Sequence, residues 1–321
     1  MSKEPAYDVI VIGAAAAGLT AALYAARQGM KTLVVSKDLG GQALLTNHIQ
    51  NYPGYDTIDG FSLISKFAEQ AKGFGAEIHF EEAKELKDED GIFTVKTPTQ
   101  EFTSHTLILA FGKTPRDLGV TGEDEYKGKG LSFCATCDGP LYRGRTVAVV
   151  GTAEYAADAA LLLSDLAGKV YLIFNRSKMA VDEATLADLE SRSNIIQIPN
   201  SKVTAVQGGL TVETIKVLDE SSKSETVYPV DGVFVEQGYI AMTGLAQGLV
   251  ALNERREIIS DKEGRTSHTG IFAAGDVTDI PFKQIVVSAG QGCVAALSAY
   301  NYLQQKRGKA LIRGDWKRRK Q

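Results

Sequence analysis

An apolar run, a glycine, an alanine-rich stretch and a second apolar run occur twice in this chain, and that repeat restricts the fold more than any other feature. Tyr7-Asp8-Val9-Ile10-Val11-Ile12-Gly13 through Lys31-Thr32-Leu33-Val34-Val35 returns 138 residues later as Thr146-Val147-Ala148-Val149-Val150-Gly151 through Lys169-Val170-Tyr171-Leu172-Ile173. Gly13 falls over Gly151 and Lys31 over Lys169. Unbroken β-branched runs suit strands covered on both faces, and alanine-rich sequence suits a helix. Strand, tight turn, helix and strand form the βαβ unit of a dinucleotide-binding fold, so two such domains are expected. A length of 321 residues, at roughly 100–200 residues per domain, leaves room for both.

The first copy also raises and answers a membrane question. Val9 to Ala26 holds no charged residue and approaches the length of a membrane span. Its β-branched start, glycine stop and alanine-rich continuation read instead as strand, turn and helix. Asp8 before the run, and the return of the pattern deep in the chain, disfavour a signal peptide. A net charge of −4, from 35 basic and 39 acidic residues, argues against nucleic acid as a partner. Three cysteines are too few for a secreted disulfide framework, so a reducing cytoplasm is the expected setting and any cysteine pair is suspected of chemistry.

Between the repeats come alternating stretches that read as antiparallel meanders. Ile92-Phe93-Thr94-Val95 leads to Phe102 and Thr106-Leu107-Ile108-Leu109, and Val203 to Val206 leads through Leu210 to Val217 and Phe234-Val235. Ile271-Phe272-Ala273-Ala274-Gly275-Asp276 is a further strand ending in Gly-Asp, followed by a helix from about Gln284 to Leu303. The simplest topology resumes the first domain there. The expectation is an α/β protein of two Rossmann-like, three-layer ββα domains, the second inserted into the first. The first domain covers 1–116 and 245–305, the insert 117–244, and a basic tail 306–321.

Two motifs carry chemistry. Gly13-Ala14-Ala15-Ala16-Ala17-Gly18 follows the dinucleotide fingerprint with Ala15 at its second glycine position. It reads as a phosphate turn or as a tight strand-to-helix packing turn. Cys134-Ala135-Thr136-Cys137-Asp138 is a CxxC pair, a redox device whose thiols acquire lowered pKa values at a helix start. A zinc site would need further ligands, and Cys293, His48, His79, His105 and His268 show no ligand spacing, so no metal is expected. Cys293, in an alanine-rich helix, reads as a small buried apolar residue.

Gly40-Gly41-Gln42, Asn51-Tyr52-Pro53-Gly54, the Cys-Ala-Thr-Cys-Asp run, Ile271 to Val277, Gln284 and Ser288-Ala289-Gly290 together resemble the low-molecular-weight flavin thioredoxin reductases over roughly residues 5–303. The resemblance implies a homodimer whose protomers carry an FAD domain and an inserted pyridine-nucleotide domain with the redox disulfide. By the same resemblance Gly13, Ala14, Ala16 and Gly18 would receive the FAD pyrophosphate. Ser36 would meet the adenosine ribose and Ala83 the adenine, while Ala110 and Gly112 return to the nucleotide. Gly41, Gln42 and Asn51 would line the flavin, and Gly275 and Asp276 the ribitol chain. Lys283, Gln284 and Ile285 would bring the start of the last helix to the ring, with Lys283 where the family usually has Arg. Cys137 would take electrons from the flavin and free Cys134 to attack the disulfide of a thioredoxin-like protein. Asp138 would move the proton, or else serve as an acid at a helix start.

Departures from the family pattern bear on the electron donor. Gly151-Thr152-Ala153-Glu154-Tyr155-Ala156 puts a carboxylate where a pyrophosphate would bring its own negative charge. The family's His-Arg-Arg cluster for a 2′-phosphate is reduced to Arg176, with Lys178 nearby, in Phe174 to Ala180. A donor other than NADPH, such as a ferredoxin, is therefore expected; a relaxed site for NADPH or NADH is the alternative. A dithiol oxidase and a flavin-binding sensor are rival readings. From Lys306 to Gln321 eight basic residues stand against one acid, and the tail holds the sole tryptophan, Trp316. That tail reads as a solvated extension, as a dock for an acidic carrier, or as a cover for the flavin through Trp316.

Overall fold

The computed structural model describes residues 4–46, 48–240 and 243–311. The chain divides into two compact units: 1–44, 52–113 and 241–321 form one, and 45–51 with 114–240 the other.

The first unit begins with β1 (Tyr7–Ala14), α1 (Ala16–Arg27), β2 (Thr32–Leu39), α2 (Gly60–Gly73) and β3 (Glu77–His79). It continues through β4 (Glu85–Glu89), β5 (Ile92–Lys96) and β6 (Glu101–Leu109). The uncharged stretch from Val9 to Ala26 thus divides at Ala15 into the end of a strand and all but the last residue of a 12-residue helix. Among the described residues no helix is long and apolar enough to cross a membrane. Strands run in the order β3-β2-β1-β6-β5-β4. β6 serves two partners along one edge: residues 101–104 pair antiparallel with β5, and residues 107–109 pair parallel with a strand described below. Val9, Ile10 and Val11 in β1 are fully buried, as expected for a strand covered on both faces. Each such side chain contributes about 1.5–3 kcal/mol by leaving water.

The second unit opens with β7 (Thr114–Pro115), α3 (Glu123–Tyr126), β8 (Leu131–Ser132) and α4 (Ala135–Asp138). The repeat follows as β9 (Thr146–Val150), α5 (Glu154–Ser164) and β10 (Lys169–Ile173), then α6 (Glu183–Ser191) and β11 (Ile195–Ile198). β12 (Ser201–Gly208), β13 (Val212–Asp219) and β14 (Glu225–Pro229) precede β15 (Gly232–Val235) and β16 (Tyr239–Ile240). A parallel sheet has the order β11-β10-β9-β15-β8, and β12-β13-β14 form a separate antiparallel sheet. Phe234-Val235, expected to close the meander, instead lies beside β9 in the parallel sheet. All four residues of β15 are buried, which suits a central strand and not the half-covered strand of a meander.

The first unit then resumes with β17 (Ile271–Ala273), paired with β6, and α7 (Ile285–Lys306). α7 packs on α1 through small residues. A Cβ on Gly292 would lie 2.1 Å from the Ala17 carbonyl oxygen, so only glycine permits this approach. Cys293 follows it, half-buried rather than fully buried, and outside any disulfide. Arg307 continues beyond α7 to pair with Asp8 at 2.5 Å. The proposed cover by Trp316 lies outside the described residues.

Candidate functional site

In the first unit, glycines and bare helix starts meet at the carboxyl end of β1. Gly13 has φ +112°, and a Cβ there would come within 2.4 Å of the Ala110 oxygen. A Cβ on Gly18 would lie 1.9 Å from Gly13 O, which fixes how closely α1 can follow β1. Ala15 precedes α1 in extended conformation and supplies no side-chain cap. With Ala14 and Ala16 on either side, backbone N–H groups at this helix start are left for an anion.

Gly41, at φ +53°, brings its Cα side to Ala15, while Gly112, at φ +66°, has no other residue within 4 Å of where a Cβ would stand. Gly275, at φ +81°, packs so that a Cβ would meet Ala17 at 2.8 Å. Next to it, Asp276 accepts hydrogen bonds from Ser288 Oγ at 3.0 Å and from Gln42 Nε2 at 3.3 Å. Gln42 Nε2 also donates to the Lys113 carbonyl at 2.8 Å. Burial pushes the Asp276 carboxyl up from its ordinary range, against the Ser288 bond and the charges of Lys283 and Lys113. α7 begins at Ile285 after Gln284, again with no side-chain cap from the residue before it.

Three glycines with no room for a side chain (Gly13, Gly18 and Gly275), two uncapped starts of long helices and a buried acid with polar neighbours fit a flavin nucleotide, which brings phosphates, hydroxyls and a flat ring. Ser36 donates to the Asp38 carbonyl at 2.7 Å, and Ala83 is buried in the same core cluster as Val35. Asn51 belongs to the stretch grouped with the second unit. Lys283 does not project a free cation: its ammonium donates to Thr278 O at 2.5 Å and lies 3.3 Å from Glu257 Oε1.

In the second unit Cys134 and Cys137 form a disulfide with Cα atoms 5.3 Å apart. Cys134 is the residue before the single turn of α4, and its sulfur accepts a hydrogen bond from Cys137 N at 3.2 Å. Asp138 closes that turn and caps nothing. Ser132 Oγ donates to its Oδ2 at 2.6 Å, and the same hydroxyl accepts from Cys134 N at 3.1 Å. Asp138 Oδ1 is buried without a hydrogen-bond partner. Burial raises the Asp138 pKa against the opposing influence of Ser132, Thr46 and His48. A buried acid with one unsatisfied oxygen beside a disulfide is equipped to hold and release a proton.

Sequence reasoning passed over Ser132 and Glu236. Glu236 follows the wholly apolar β15, is 9% exposed, and accepts from Ala135 N at 3.3 Å. Burial pushes its carboxyl up to about 8, with Asp158 adding to the rise. An acid directly after four buried strand residues is the signal that would have found it. α5 begins with Glu154, after Ala153 in the same extended conformation as Ala15. The Tyr155 and Tyr239 rings meet edge to face at 6.1 Å, and the Tyr239 hydroxyl donates to Phe133 O at 2.9 Å.

A family model described as pyridine nucleotide-disulphide oxidoreductase matches residues 7–292. A thioredoxin reductase from Treponema pallidum is 39% identical over 302 residues, covering 94% of this chain and 98% of that protein. One from Listeria innocua is 36% identical over 95% of this chain and 96% of its own length. The crystal structure of thioredoxin reductase from Streptococcus pyogenes superposes with a TM-score of 0.90 at 32% identity, covering 93% of this chain and 98% of that one. Redox turn, glycine-lined cradle and two dinucleotide-type sheets agree with this relationship along almost the whole chain, which belongs to the pyridine nucleotide-disulphide oxidoreductases as a flavin disulfide oxidoreductase of the thioredoxin reductase family.

Proposed function

We propose that this enzyme binds FAD and reduces the disulfide of a thioredoxin-like protein through Cys134 and Cys137, drawing electrons from a carrier such as a ferredoxin rather than from NADPH. The observation that carries the first part is the Cys134–Cys137 disulfide beside the buried Asp138. Gly13, Ala14, Ala16 and Gly18 would receive the pyrophosphate. Gly41, Gln42, Gly112, Gly275 and Asp276 would hold the ribitol and ring portions, with Ser36, Ala83 and Ala110 toward the adenosine end. When bound, the flavin supplies the electron pair that opens the disulfide.

The chain's own groups do the rest. The freed Cys134 sulfur is stabilised as a thiolate by the Cys137 N–H. It attacks one sulfur of the substrate disulfide, whose other sulfur leaves as a thiolate and takes a proton from water. Cys137, losing its proton to Asp138, then attacks Cys134 in the mixed disulfide. The second substrate sulfur departs as a thiolate that takes the proton back from Asp138, and the Cys134–Cys137 bond is restored. Ser132 keeps the Asp138 carboxyl oriented throughout.

Three features of the second unit support the donor reading. The crevice of such a fold lies at the carboxyl ends of the strands where the order switches, here β9 and β15. Glu236 leaves β15 at that point, and Glu154 starts α5. Burial opposes ionisation of Glu236, so of the two acids it is Glu154, at the helix start, that a pyrophosphate would oppose. Tyr155 and Tyr239 form a ring pair on the same turn-bearing segments. Anaerobic mixing with NADPH, NADH or reduced ferredoxin, followed by flavin absorbance, tests the donor; rapid bleaching by micromolar NADPH overturns that part. Cys137→Ser should abolish thioredoxin reduction by chemically reduced enzyme, and full retention removes the mechanism.

A further inference from the structure

Within the first unit, a buried group of charges adjoins the cradle, and of its members only Lys283 was expected there. Lys113 and Lys283 both reach Glu257 Oε1, Lys113 in a short ion pair and Lys283 at 3.3 Å. The Lys113 side chain is 7% exposed and that of Glu257 is 8% exposed. Glu257 is locked from the other side: its Oε2 accepts from Asn253 Nδ2 at 2.6 Å, and its N–H donates to Asn253 Oδ1 at 2.8 Å. Lys283 is held a second time by the Thr278 carbonyl. Burial lowers the Lys283 pKa, and the Lys113 charge lowers it further.

A lysine with its ammonium out of water is costly and persists only where it is paired. Two ammonium groups share one carboxylate here, so Glu257 cannot fully neutralise both. A further carboxyl of the cradle is that of Asp276, whose hydrogen bonds come from the neutral donors Ser288 and Gln42. Its titration still responds to both lysine charges, which places their field in the cradle. The connection is also mechanical, because the carbonyl of Lys113 is the one that Gln42 Nε2 grips. Gly112, before it, holds a positive φ with open space where a Cβ would stand.

We propose that Lys113, paired with Glu257, is a fixed cation of the flavin site that favours the reduced, negatively charged ring over the oxidised, neutral one, and that Glu257 is the positioning residue that moderates it. The inference rests on the flavin reading above and adds residues which that reading does not use. Charge fixed at low exposure acts on a developing anion without reorganisation cost, which is how it shifts the two redox states unequally.

The test is a spectroelectrochemical titration of the flavin in the purified holoenzyme, with flavin dissociation measured in parallel. Lys113→Met should weaken binding of the reduced relative to the oxidised flavin by about tenfold, a fall in midpoint of about 30 mV for the two-electron couple. Lys113→Arg, which keeps the cation, should restore most of the difference. Glu257→Gln should move the midpoint upward, because it unmasks both lysines. Opposite signs for the two substitutions are the signature, since loosened packing alone would move them together. Shifts in the same direction, or a Lys113→Met midpoint equal to that of the wild type, overturn the proposal. If Lys113→Met does not retain flavin, the direction of the Glu257→Gln shift decides. A wild-type protein that neither carries nor takes up flavin would defeat the parent reading as well, and so is told apart from failure of the proposal alone.

Discussion

Two buried acids touch the redox turn, and their surroundings give them different work. Asp138 has a hydroxyl donor on one oxygen and none on the other, and burial raises its pKa, so its protonated form is favoured more than that of an exposed aspartate. Asp138→Asn should slow single-turnover reduction of a thioredoxin-like substrate by roughly 10²–10⁴-fold, the usual contribution of a placed acid–base group. Flavin content should not change. Glu236 has one backbone donor and deep burial, and its pKa rises from 4.5 to about 8. The native state therefore holds this proton more tightly than the unfolded chain does. Its contribution to stability is full below about pH 4.5 and is lost as pH climbs to about 8, by on the order of several kcal/mol. Glu236→Gln cannot ionise, so thermal melts should show it gaining on the wild type at pH 9 and not at pH 5.

At the scale of elements, the repeated strand–turn–helix is where sequence and structure agree most closely, because its determinants are local. Gly13 must adopt a positive φ, and Gly18 must admit a neighbouring backbone, and both requirements show in the spacing itself. Gly18→Val would drive side-chain atoms into the Gly13 carbonyl, so β1 and α1 must separate. The expected result is loss of flavin from purified protein together with a fall in melting temperature, read by absorbance and by thermal denaturation. β15 illustrates what periodicity misses. Its four residues follow a meander in sequence, yet they pair with β9, more than eighty positions earlier, and only that pairing explains their complete burial. The Lys113–Glu257 pair was invisible for the same reason, since its partners are 144 positions apart. Neither partner lies in a recognisable motif. Residues 45–51, grouped with the second unit though flanked in sequence by the first, carry no compositional mark of that allegiance. By contrast the redox turn was legible to the residue, because a CxxC closes its own bond within one turn.

For the whole molecule, charge is distributed against the average. The net charge is −4, yet residues 306–321 alone carry eight bases and one acid, leaving −11 on the remainder. Arg307 ties the start of this segment to Asp8, so the five bases from Arg313 to Lys320 follow an anchored point on the first unit. A concentrated positive segment on an otherwise acidic protein steers an acidic carrier toward one region and adds little to a small neutral reductant. Deleting 312–321 should therefore lower the second-order rate of flavin reduction by an acidic carrier such as ferredoxin by about tenfold at low ionic strength. Added salt should slow the intact protein and bring the two rates together as the Debye length contracts to about 3 Å near 1 M. Reduction by dithionite, followed in the same stopped-flow instrument, separates steering of a protein from a change in the flavin itself. A truncated enzyme equally slowed toward both reductants would assign the tail to the flavin, as a cover by Trp316 requires. Equal carrier rates with and without the tail, at all salt concentrations, would leave it no part in delivering electrons.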